Sequence, residues 1–160
     1  MVTKLSMTEK KKKNKRWLLV FLISILIILP IYFVVDAYNS FVNLNKILGT
    51  KDSYSDTIEI IKTEIAKCKL GEAKFMGSNE DCPVTGTKVI NGMLVLSQEY
   101  PKNPFDDFKK AIRNSDRNED DKDLGYISVS NVGSTIFIKT CFNTPCKKEE
   151  NRKQSTVSVK

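Results

Sequence analysis

After a charged opening, the chain carries no charge for 19 residues. Trp17 to Val35 (WLLVFLISILIILPIYFVV) lacks Asp, Glu, Lys and Arg, and 15 of its 19 residues are Leu, Ile, Val or Phe. As a helix the run is about 28 Å long, close to a bilayer core of about 30 Å. Each of these side chains favours insertion by roughly 0.3–0.6 kcal/mol, which outweighs Ser24 and Pro30. Trp17 at one end and Tyr38 just past the other suit the two membrane interfaces. Pro30 lacks an N–H and crowds the carbonyl of Leu26, which predicts a kink. No polar face is present, which argues against a buried core helix. The rival is a cleaved signal peptide, with KKKNKR before the run and Val35-Asp36-Ala37 as the cut site. Such peptides use about 7–15 apolar residues, so a retained, single-pass anchor is expected.

The pattern then becomes periodic. Phe41, Leu44 and Leu48 follow helical steps, so the helix is expected to continue outward, with Gly49–Ser53 as a break. Tyr54, Ile58, Ile61, Ile65 and Cys68 recur at +4, +3, +4 and +3. This is an amphipathic helix whose stripe faces a core or, alternatively, a partner helix. Asp52, Ser53 or Ser55 would cap its start, and Gly71 would end it. Residues 71–87 read as a loop, and 88–96 (KVINGMLVL) fit helix or strand equally. In KNPFDDFKKAI, Asn103 as N-cap, Pro104, and the early Asp106 and Asp107 predict a short helix with Phe105, Phe108 and Ile112 on one face. Residues 114–124 are a polar loop. Residues 125–130 and 135–140 alternate and predict a β-hairpin. The polar segment from Lys147 predicts a disordered tail.

The fold class expected is therefore α+β. A transmembrane helix continues into an amphipathic helix, followed by a small domain with an antiparallel β-hairpin or sheet. Its divisions are a basic segment (1–16), the span (17–35), an exported domain (36–146) and the tail (147–160).

Charge adds an orientation. The chain carries a net +7, of which +6 lies in residues 1–16 and +1 in the remaining 144. Positive charge stays cytoplasmic, so residues 1–16 are expected inside and residues 36–160 outside. Lys10–Lys13 can also touch anionic headgroups. A near-neutral exported part argues against nucleic-acid binding. The bilayer is the first partner implied.

All four cysteines, Cys68, Cys82, Cys141 and Cys146, lie on the expected outside. An even count in a small exported domain predicts two disulfides, with three pairings open. Local closure favours Cys68–Cys82 and Cys141–Cys146. A zinc site is disfavoured, because one cysteine pair is 14 residues apart and no knuckle is visible.

The chain has no histidine, and no nucleophile motif, phosphate-binding glycine loop or paired carboxylates stand out. A non-enzymatic protein without a resident cofactor is expected. Asp116, Asn118 and Asp120 alternate like the start of a calcium loop, but Asp121 replaces the turn glycine and Ile127 the closing glutamate. Calcium is the one metal these residues bring to mind. None of the twelve asparagines begins an N-x-[ST] sequon, which fits a bacterial envelope.

In this order of elements, residues 17–146 resemble type IV pilins and type II secretion pseudopilins, in particular short pilin-like proteins of marine bacteria. The similarity is carried by the basic leader, the apolar helix and ILPIYFVVDAY (28–38) with Pro30, Tyr32 and Tyr38. IIKTEIAKCKLGE, the NPFD segment (103–106) and the closing TIFIKTC add to it. The family pattern places a glycine before the apolar run and a glutamate five residues into the mature chain. Here the first glycine is Gly49, and Trp17–Val35 contains no glutamate. The resemblance implies a structural subunit of the bacterial inner membrane, its C-terminal domain periplasmic or extracellular. Trp17, Pro30, Tyr32 and Tyr38 would then serve membrane retention and packing against other pilin-like subunits. A bitopic envelope scaffold outside any filament is the alternative.

Overall fold

The computed structural model describes residues 3–76, 80–98 and 102–160, and of residues 3–16 the backbone alone. The side chains of the basic block and residues 77–79 of the expected loop lie outside the described part.

Helix α1 spans Thr3–Lys69 and passes through Pro30 without ending. The chain divides into two compact units, one up to Asn43 and one from Leu44 onward. In the first, every large apolar side chain from Trp17 to Val35 is exposed. Ser24 donates its hydroxyl hydrogen bond back to the Phe21 carbonyl at 2.8 Å, so this hydroxyl is satisfied within the helix.

In the second unit α1 runs straight through Gly49–Ser53, where a break was expected, and no cap forms at Asp52, Ser53 or Ser55. Packing overrides the local turn preference. Thr50 is fully buried and donates to the Lys46 carbonyl at 2.9 Å. The Lys51 ammonium lies 4.2 Å from the centre of the Phe142 ring. The expected stripe is present: Tyr54, Ile61 and Ile65 are buried, and Ile58 and Cys68 partly so. Thr57 joins it, its hydroxyl satisfied by the Ser53 carbonyl at 2.7 Å. The helix stops at Lys69 in a Schellman arrangement. Gly71 N–H donates to the Cys68 carbonyl and Glu72 N–H to that of Lys67, both at 3.2 Å.

The ambiguous apolar run is a helix, α2 (Gly86–Leu96), capped by the Thr85 hydroxyl. Its Val89, Ile90 and Met93 are buried.

The short helix expected over 103–112 does not form. Instead β1 (Lys102–Asn103) and β2 (Asp106–Lys110) make a small antiparallel hairpin, and β3 is Ile112–Asn114. The same polar side chains that suggested a helix start close Asx turns. Asn103 Oδ1 accepts from Phe105 N–H at 2.8 Å, and Asp106 Oδ1 from Phe108 N–H at 3.2 Å. Asn103 is then buried by a second bond, from its amide to the Leu124 carbonyl at 2.9 Å.

A four-stranded sheet runs in the order β3-β4-β5-β6, with β4 at Ile127–Val132, β5 at Thr135–Cys141 and β6 at Arg152–Ser158. The expected hairpin is β4–β5, closed by Gly133-Ser134. β3 lies parallel to β4, and β6 antiparallel to β5. The tail expected to be disordered is therefore an ordered strand. Its sequence has almost no apolar pattern, but all seven residues pair with β5, and Val157 is buried. The Tyr54 hydroxyl donates to Ser155 Oγ at 2.7 Å, tying the strand to α1. Ile61, Phe75, Val89, Met93, Ile127, Val129, Ile136 and Ile138 form the core that joins α1, α2 and the sheet. The fold class is α+β, as read from the sequence.

Candidate functional site

Two regions carry the sequence-derived expectations: the apolar part of α1 and the polar loop 114–124 with the cysteines around it.

The apolar segment has no polar face, and its wide exposure would be unfavourable in water. By length and composition it is the one helix among the described residues able to cross a membrane. Trp17 stacks toward Phe21, with ring centres 6.4 Å apart. Tyr32 and Tyr38 are both exposed.

The disulfides pair Cys68 with Cys82 and Cys141 with Cys146. The first ties the end of α1 to the loop before α2. The second closes the turn after β5, and the Cys146 N–H donates to Asp121 Oδ1 at 2.6 Å. The second disulfide loop and the acidic loop thus brace one another.

Loop 114–124 is held by a buried ion pair. Arg113, at the start of the loop, reaches Asp123 Oδ1 at 2.5 Å, with side-chain exposures of 27% and 7%. The guanidinium also donates to Ser128 Oγ at 3.0 Å and to the Arg117 carbonyl at 3.3 Å, and lies 4.2 Å from the Tyr126 ring centre. Asp123 Oδ2 accepts from Asp120 N–H at 3.0 Å, while Asp120 accepts from Lys122 N–H at 2.9 Å, a reciprocal cap on the 3-10 turn Asp121–Asp123. Burial pushes the Asp123 carboxyl up. The Arg113 hydrogen bond and charge, with backbone donors at Asp120 and Glu119, outweigh it and hold the carboxyl below its ordinary value.

These contacts place the calcium candidates. Asp120 is occupied as a cap, Asn118 is buried, and the Asp116 carbonyl accepts from Lys139 Nζ at 3.0 Å. Among the described residues no three His, Cys, Asp or Glu side chains gather in a way that could hold a metal ion. The carboxylates of Asp120, Asp121 and Asp123 act as structural acceptors, and that of Glu119 pairs with Arg152 at 2.6 Å. Sequence reasoning did not single out Arg113, although an arginine beside an acid-rich loop is the available signal. Phe108 was placed on a buried face and is instead fully exposed, because it lies in β2, a strand with no buried residue.

The chain matches no protein-family model, no curated protein and no solved structure. Its function is therefore argued from its own residues.

Proposed function

We propose that this chain is a non-enzymatic, single-pass membrane subunit of pilin-like type. Residues 17–35 span the bacterial inner membrane, residues 1–16 face the cytoplasm, and the disulfide-bonded domain faces the periplasm or exterior. The observation that carries the reading is the division of labour within one helix. The apolar part of α1 exposes every large side chain, whereas from Thr50 onward α1 buries a stripe in a domain stapled by two disulfides. A side chain exposed to lipid and a domain built with disulfides belong to a membrane anchor and an oxidising compartment. The basic block supplies the orientation.

A second reading, a bitopic scaffold outside any filament, is favoured by the absence of glutamate from Trp17–Val35 and of any glycine before Gly49. Two measurements on the full chain test both. Protease added to spheroplasts should digest the C-terminal domain and spare residues 1–16; the reverse pattern sinks the topology. Mass spectrometry of the mature protein then separates the readings. A new, methylated N-terminus within residues 9–17 supports the pilin-like subunit, an intact start supports the scaffold, and a start at Tyr38 overturns the anchor.

A further inference from the structure

The β1–β2 hairpin presents an aromatic side chain to solvent. Phe108 is 100% exposed, in a domain whose other aromatic side chains include the buried Phe75 and Phe142. Lys110, two residues further along β2, is exposed as well. Lys102 is the cross-strand partner of Lys110. Like charges directly opposite one another are destabilising. Asp106 offers no relief, because it is paired with Lys109 at 3.0 Å, which holds the Asp106 carboxyl below its ordinary value and raises Lys109. Among the described residues Lys102 and Lys110 have no acidic partner. The hairpin is thus an exposed ring beside two uncompensated cations.

The complement lies on the same molecule. Asp56, Glu59, Ile60, Thr63 and Glu64 line an open groove of ≈ 400 Å³ along α1, at the edge of the core against which Ile60 packs. Ile60 supplies apolar surface. Glu64 is engaged by Lys67 at 2.6 Å and by Met76 N–H at 2.8 Å. Asp56 and Glu59 are exposed and have no cationic partner among the described residues. The groove therefore offers an apolar contact beside two uncompensated anions.

We infer that the hairpin of one copy docks into the α1 groove of a second copy, with Phe108 against Ile60 and Lys102 and Lys110 facing Asp56 and Glu59. The occupant is a second copy because the matching charges and the matching apolar element are both on this chain. Knob and groove are different surfaces, so the contact is heterologous, and each copy keeps one free knob and one free groove. The hairpin sits beside the Lys46–Gly49 turn of α1, through Phe105 near Lys46 and Pro104 near Gly49. The groove begins about two turns further along α1. Successive copies accordingly step along the helix direction, as an open assembly requires. This inference deepens the structural-subunit reading and rests on it.

The test replaces Phe108 with the photo-cross-linker p-benzoylphenylalanine in the full chain, expressed in its membrane. Irradiation should give a dimer band whose adduct maps to residues 56–64 of the second copy. K102E/K110E should lower the yield at least 5-fold, D56K/E59K should do the same, and combining the two pairs in one chain should restore at least half. Adducts confined to lipid, to another protein or to other parts of the chain overturn the inference, as does no adduct. These positions are exposed, and unchanged mobility on non-reducing gels confirms that both disulfides form in each variant. Protease accessibility on the same membranes separates the two levels. Correct topology without the adduct sinks only the docking, whereas inverted topology sinks the functional reading.

Discussion

Arg113 and Asp123 form an unequal pair, and the inequality is measurable. Replacing Arg113 with Met strands a carboxylate with 7% side-chain exposure, whereas replacing Asp123 with Asn leaves an arginine with 27% exposure. Breaking a buried pair costs about 3–5 kcal/mol. Asp123 keeps the Asp120 N–H at 3.0 Å, so the lower end, about 3 kcal/mol, is expected for Arg113→Met. After Asp123→Asn, Arg113 retains Ser128, the Arg117 carbonyl and Tyr126, and the loss is about 1–2 kcal/mol. Hydrogen exchange of the Ile127 amide, bonded to the Ala111 carbonyl at 2.8 Å, reports the opening of β3 from β4. At pH 7 it should quicken roughly 150-fold in Arg113→Met and roughly 10-fold in Asp123→Asn. The two also differ in pH dependence. In the unaltered chain the Asp123 carboxyl is held below its ordinary value, so its stabilisation is present above about pH 4 and lost as pH falls below that. Without Arg113, burial drives the carboxyl upward. The penalty is then full at neutral pH and relieved as pH falls toward 4. An Arg113→Met chain no more labile than Asp123→Asn at pH 7, or one whose excess exchange persists unchanged at pH 4, would refute the reasoning.

Three further outcomes follow from burial and backbone shape. Phe75 is fully buried, and Phe75→Ala should cost about 3–5 kcal/mol, read as a lowered urea midpoint of the domain; a shift under 1 kcal/mol would remove Phe75 from the core. Gly125 has φ of 77°, and an added Cβ would overlap the Asn103 side chain. Gly125→Ala should therefore lower the domain's thermal midpoint more than Gly71→Ala, whose added Cβ would meet open space; equal shifts would count against the Asn103 contact. Truncation after Lys147 removes β6 and bares the β5 edge, so limited proteolysis should cut the domain at least 10-fold faster; unchanged resistance would mean that residues 148–160 contribute nothing to the fold.

What could be read without the structure rested on strong, local signals. Nineteen uncharged residues specify a helix that is apolar on every face by composition alone. The Tyr54–Cys68 stripe and the alternation around Gly133-Ser134 specify a helix and a hairpin because their periods are set by the backbone. Cysteines close in sequence favoured the pairings found. The tertiary structure decided the weaker stretches. Gly49–Ser53 is helical because Thr50 is buried, which propensity does not register. Asn103 and Asp106 can start a helix or close Asx turns with the same oxygens, and the bond from Asn103 to the Leu124 carbonyl, 21 residues away, selects the turn. Residues 152–158 form a strand because β5 presents a free edge, and Tyr54 reaches Ser155 across 101 residues of sequence. A polar segment completes a sheet through its backbone, and its partner is not its neighbour in the chain.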